Sequence, residues 1–176
     1  MTDASADAVT LPRGGRGMLA FIRVAVALLW IQNAGWKTPG DDFGRMARRG
    51  LYLFTGYAVE HPVFPPFTWL VEHVVLPNFV VFGWLTLLVE TSLGAFLLAG
   101  LATRLWALVG IAQTLAITFS VLYAPHEWHW SYFLMLLAHL ALFATAAGRF
   151  HGADGLLRPS WKRSANPIAR WLVRFS

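Results

Sequence analysis

The chain of 176 residues contains no cysteine. Disulfide staples, thiolate zinc sites, iron–sulfur ligation and thiol–disulfide relays within this chain are therefore excluded, and any redox role needs a partner or a cofactor. Charge is also scarce. Only 13% of residues are Asp, Glu, Lys or Arg, while 57% are hydrophobic, against roughly 25% charged and 45–50% apolar in a soluble domain. A water-soluble globule does not have this balance. Phosphate-binding glycine loops, a Ser-His-Asp arrangement and nucleotide fingerprints are also missing, so soluble-enzyme chemistry finds no support and no nucleotide is expected. The formal charge of +5 does not mark nucleic acid as a partner, because the basic residues lie at the chain ends and in one loop rather than on one isolated face. No Pro/Gly/Ser-rich linker divides the chain, which reads as one domain.

Long apolar segments dominate what is present. A bilayer core takes about 20 apolar residues in a helix, and four segments qualify: Gly17 to Trp36, Leu76 to Ala99, Thr103 to Tyr123 and His129 to Gly148. The expected fold is all-α, an integral membrane four-helix bundle in residues 17–160. A disordered cytoplasmic N-terminus (residues 1–16) precedes it, and a basic amphipathic cytoplasmic tail (residues 161–176) follows. The first apolar stretch lacks a small-x-small cleavage site and is read as a retained helix. Arg13, Arg16, Arg104, Arg149, Arg158, Lys162, Arg163, Arg170 and Arg174 flank one set of span ends. This bias puts both termini in the cytoplasm of a multi-pass cell membrane protein. Lys37, Arg45, Arg48 and Arg49 in the first loop oppose that orientation and are outnumbered.

In that extracytoplasmic loop Phe43, Met46, Ala47, Leu51, Phe54 and Tyr57 gather on one helical face, which predicts an interfacial helix. Pro62, Pro65 and Pro66 end it before a second apolar piece, Phe67 to Val75, and the two pieces together could form a lid. Beyond the fourth span, Ile168, Trp171, Leu172 and Phe175 oppose Arg170 and Arg174, the pattern of an amphipathic helix on the lipid surface.

Ionisable side chains in hydrocarbon cost at least ~2.5–3.5 kcal/mol each and so mark pairing or function. Counted at about 1.5 Å per residue from the cytoplasmic ends, Glu90, Gln113 and His139 lie about 15 Å deep and Arg23 about 9 Å deep. An arginine side chain spans the difference, so an Arg23–Glu90 ion pair is expected, with Gln113 and His139 around it. On the functional reading Glu90 and His139 are the catalytic, proton-handling groups, and Arg23, Gln113 and Arg104 hold a quinone. On the structural reading the pair only fixes helix register, Arg23 snorkels toward the headgroups, and His139 is a hydrogen-bonded packing residue. Gln32, Asn33, Trp36 and Lys37 fall at the depth of His126, Glu127, Trp128 and His129, a candidate cavity mouth. The His126 to His129 run matches no zinc pattern and His139 alone is convincingly intramembrane, so neither a metal nor haem is expected.

Three motifs carry a family resemblance: Phe21-Ile22-Arg23-Val24 leading to Gly35-Trp36-Lys37-Thr38-Pro39-Gly40; Glu90-Thr91-Ser92-Leu93-Gly94 followed by Gly100-Leu101-Ala102-Thr103-Arg104; and Gly148-Arg149 with Gly152-Ala153-Asp154-Gly155-Leu156-Leu157. In this order, and on four spans, they resemble the DoxX/DoxD-like membrane protein family, which includes the small subunit of thiosulfate:quinone oxidoreductase. The resemblance implies a four-helix membrane bundle serving a quinone-linked redox system, with a redox partner subunit that supplies the donor chemistry and with a homo-oligomer left open. The Ala124 to Ser131 stretch is individual to this chain, so thiosulfate specificity is not carried over. The competing expectation is a non-enzymatic membrane anchor or organising protein whose buried ion pair is structural. A transporter is disfavoured, since neither an inverted repeat nor a pair of broken helices is seen.

Overall fold

The computed structural model describes residues 12–176, and among these the regular structure is entirely helical. Helix α1 (Arg13–Gly35) is followed by α2 (Asp41–Gly44), α3 (Gly50–Glu60), α4 (Pro65–Leu70), α5 (Phe79–Ala99), α6 (Thr103–Val121), α7 (His129–Thr145), α8 (Ala153–Arg163) and α9 (Pro167–Phe175). Three of them, α1, α5 and α6, are long and apolar enough to cross a membrane, whereas α7 is apolar but only 17 residues long. The expected fourth span to Gly148 stops at Thr145 because Ala146 takes left-handed backbone (φ 47°) and a 3-10 turn follows at Ala147–Arg149.

No more than 33% of the most apolar window of any of the three long helices is buried. Phe21, Leu28, Val81, Leu88 and Leu137 stand on the outside, so the apolar surface faces outward as bilayer contact requires. Helices α1 and α5 run together, as do α6 and α7, and α5 also packs on α6. The close approaches use glycine. A side chain at Gly94 would press on Ile31 and Ala27, and one at Gly110 would overlap the His139 ring, the small-residue contact that membrane helices use in place of hydrophobic driving force. The inner core is built from Val26, Ala27, Trp30, Leu93, Leu97, Ala107, Leu142 and Ala147.

The termini explain themselves locally. Gly100 ends α5 with φ +67°, its N–H bonding the Leu97 carbonyl at 3.2 Å and that of Leu101 reaching back to Phe96 at 3.0 Å, the Schellman closure that glycine permits. The side chain of Asn166 accepts from the Ile168 N–H to start α9, with Pro167 in the first turn.

Two expectations need correction. Helix α1 begins at Arg13, so residues 13–16 of the expected disordered tail are helical, and the remainder of that tail lies outside the described residues. The single amphipathic helix expected from Phe43 to Tyr57 is broken: Asp41, Asp42, Phe43 and Gly44 all have positive φ, as does Arg48. The reversal turns Phe43 inward against Gly83 and edge-on to Trp84, while Met46 is left exposed. Only the later half, α3, forms a helix of more than one turn, and it packs against α5 and α6. The second apolar piece is α4, which runs on through a π-helical turn at Val71–Val75, ahead of α5.

Candidate functional site

Helix register decides which charges meet. Gly94 lies against Ala27 and Ile31, and the turn after α5 at Gly100 lies against Arg23. One helical turn before Gly94, Glu90 is therefore level with the last turn of α1, about 15 Å along the helix from Arg23. Its partner is Lys37, just beyond that turn, with Nζ 2.6 Å from Glu90 Oε2 and side-chain exposures of 3% and 0%. The expected Arg23–Glu90 pair does not form. Lys37 also donates to the Asn33 carbonyl at 2.9 Å, and Gln113 Nε2 donates to the other carboxylate oxygen, Glu90 Oε1, at 3.1 Å. A buried carboxylate thus accepts from α6 and from the end of α1 at once, the arrangement that makes a buried ion pair tolerable.

This cluster lies at the base of a cavity of about 490 Å3. Leu51 and Phe54 of α3, Phe67 and Leu70 of α4, Phe79 and Phe82 of α5 and Ile117 of α6 supply an apolar lining. The short first-loop helices line this cavity: Phe64 and Phe67 rest on Phe119 of α6, and Thr68 Oγ1 donates to the Ala58 carbonyl at 2.9 Å to tie α4 to α3. Glu127, which accepts a hydrogen bond from the Tyr132 hydroxyl, and Tyr132 itself line the same space. Of the expected mouth residues, Asn33, Trp36, Lys37 and Glu127 meet here. Gln32 and Trp128 instead line a neighbouring cavity of about 610 Å3 between α1 and α7. The two cavities share Asn33, Trp36 and Met135. Asn33 accepts from Trp36 Nε1 at 3.2 Å, but its buried Nδ2 has no partner.

His139 is held differently from Glu90. Trp30 Nε1 donates to its Nε2 at 2.8 Å, and its Nδ1 lies 2.7 Å from the Met135 carbonyl. Indole N–H can only donate and a carbonyl can only accept, so the proton sits on Nδ1 and the ring is neutral. Both nitrogens are occupied, and His139 borders the second cavity rather than the first. Arg104, at the start of α6, donates to the Phe143 carbonyl at 3.1 Å and lies over the Phe143 ring. Arg23 is 2% exposed and donates to the His151 carbonyl at 3.1 Å, next to the charge of Asp154. Neither arginine lines the cavity over Glu90. Asp154 accepts from the Ala102 and Thr103 N–H groups at 2.7 and 2.9 Å, capping α6 from a distant segment. The motifs that carry the resemblance are thereby two assemblies, with Lys37 and Glu90 beside the first-loop helices and Arg23, Gly100, Gly152 and Asp154 at the opposite end.

The sequence puts Glu90 and Gln113 at one depth, and the structure brings them together, but the cation at Glu90 is Lys37 and not the expected Arg23. By depth Lys37 is a mouth residue at the outer end of the first helix, and depth counting alone ignores that a lysine can run back down beside its own helix.

Neither curated proteins nor solved structures provide a match to this chain. A family model does: the family described as TQO small subunit DoxD matches residues 18–175, nearly the full length and all three motifs, and the chain therefore belongs to the DoxD family of membrane proteins.

Proposed function

We propose that the protein is the membrane subunit of a quinone-linked redox system and that the cavity over Lys37, Glu90 and Gln113 takes the quinone headgroup. The observation that carries this reading is a buried carboxylate–ammonium pair lining an apolar cavity that the first-loop helices help to wall. The donor set suits a quinone carbonyl. An ammonium has three N–H donors, and Lys37 uses two of them on Asn33 and Glu90; the third and the unpartnered Asn33 Nδ2 would hold the oxygen. When bound, the quinone supplies the two-electron acceptor that the side chains lack, with electrons coming from a partner subunit. In this reading Glu90 would pass on, one at a time, the two protons that accompany two electrons, Gln113 fixes its carboxylate, and the neutral His139 positions Trp30 on α1 rather than carrying protons. Arg23 and Arg104 join helix ends instead of binding the quinone. The fourth apolar helix crosses the bilayer with the other three, both termini are cytoplasmic, and the first-loop helices lie toward the outer leaflet, as the positive flanks favour.

The test is the quinone content of protein purified in mild detergent, by mass spectrometry, for the unmutated chain and for the double variant Lys37→Met/Glu90→Gln. Near-stoichiometric quinone in the first and a loss in the second supports the proposal. Equal quinone in both, or none in either, moves the role to an anchoring or organising subunit whose ion pair is structural.

A further inference from the structure

At the end of the molecule opposite the first-loop helices, where α1 begins and α7 ends, a cavity of about 290 Å3 is lined by Arg149, Gly155, Arg158, Pro159 and Lys162. Three cations line it, and no Asp or Glu side chain does. The carboxylate that acts on Arg149 is Asp154, fully buried and engaged with both its oxygens in capping α6. Arg149 donates through Nε and Nη2 to the Ser176 carbonyl at 3.1 and 2.7 Å, while the buried Nε of Arg158 has no partner. Like charges thus line one concavity, and the pKa of Arg149 is pushed down by burial first and then by Arg158 and Arg104. Such an arrangement costs energy unless an anion joins it.

The surroundings identify the anion's source. Leu156, 83% exposed, projects from the first turns of α8, and Ile168 and Trp171 are exposed on α9; α9 packs on α8, and its last residue, Ser176, is tied to Arg149. Exposed apolar side chains on α8, which supplies most of the cationic cavity, and on α9, which packs on it, match a ligand with a phosphate and acyl chains. We infer that Arg149, Arg158 and Lys162 form a binding site for the phosphate of an anionic phospholipid. The site does not depend on the quinone reading.

The experiment is native mass spectrometry of the full chain in detergent, titrated with phosphatidylglycerol, phosphatidylcholine or inorganic phosphate. Phosphatidylglycerol should bind at a defined stoichiometry and more tightly than the other two. Arg158→Gln/Lys162→Gln should weaken it about 30-fold, from roughly a fivefold effect per basic residue. Arg45→Gln/Arg48→Gln, which removes two exposed charges from the first loop, should leave it unchanged, and Arg158→Lys/Lys162→Arg should restore it. An equal loss in the first-loop variant, unaltered binding in Arg158→Gln/Lys162→Gln, or inorganic phosphate bound as tightly as the lipid would each overturn the assignment. A melting curve run alongside separates unfolding from lost contact, since the charge-retaining variant tests the same positions with the fold intact.

Discussion

Replacing Glu90 by Gln leaves the Lys37 ammonium in a site where its side chain is 3% exposed, with the Asn33 carbonyl and the face of the Trp36 ring as partial compensation for its charge. Removing one member of a buried ion pair costs about 3–5 kcal/mol, because the other charge stays behind without its counter-ion. Lys37→Met alone leaves the carboxylate with only the Gln113 amide and should cost a similar amount. The double variant Lys37→Met/Glu90→Gln removes both charges and keeps an amide oxygen for Gln113, so its cost should fall to about 1–2 kcal/mol, that of an imperfectly paired polar group. The cycle therefore carries a coupling of at least ~4 kcal/mol, well above the ~0.5 kcal/mol scatter of independent sites. At roughly 2–4 °C per kcal/mol for a chain of this size, each single variant should melt about 10 °C lower and the double variant only a few degrees lower. Thermal unfolding in detergent, followed by tryptophan fluorescence, reads this directly. Additive costs, with the double variant the least stable of the three, would refute the buried pair.

Trp30→Phe removes the indole donor to His139 Nε2 and should lower stability by about 1–3 kcal/mol while leaving quinone content intact, checked by melting and mass spectrometry together. Gly100→Ala would drive a methyl into Arg23 Nη1 at a left-handed position and should cost roughly 3 kcal/mol or more. Gly56→Ala, where nothing lies within 4 Å, should be neutral or stabilising by about 0.5–1 kcal/mol; comparative yields of folded protein distinguish the two. Asp154→Ala uncaps α6 at Ala102 and Thr103 and should lower the melting temperature by the equivalent of about 1–2 kcal/mol.

The helices were legible because hydrocarbon imposes long apolar runs, and Gly100 and Asn166 bounded theirs in recognisable ways. The first loop was less so. Its apolar spacing suits a helix from Phe43 to Tyr57, yet Phe43 is taken into the gap left by Gly83, and the backbone reverses to deliver it. That is a packing decision which periodicity does not contain. Glu90 and Gln113 were visible as polar groups at one depth, but whether Arg23 or Lys37 answers Glu90 depends on the α1–α5 register, set by Gly94 on Ala27 and Ile31. The neutral state of His139 was equally hidden, because it rests on Trp30, 109 positions away in sequence. Asp154 stood in a recognisable motif, but its target was set by the distant turn at Ala102 and Thr103.

The central claim is that a quinone occupies the cavity above Lys37 and Glu90, and its most direct test is photolabelling of the unmutated protein with an azido-quinone, mapped by peptide mass spectrometry. Labels confined to cavity-lining segments such as 51–55, 67–75 and 113–121, and competed away by unlabelled quinone, are the expected result; labelling spread over the outward faces of the helices, or unaffected by competitor, would contradict the account.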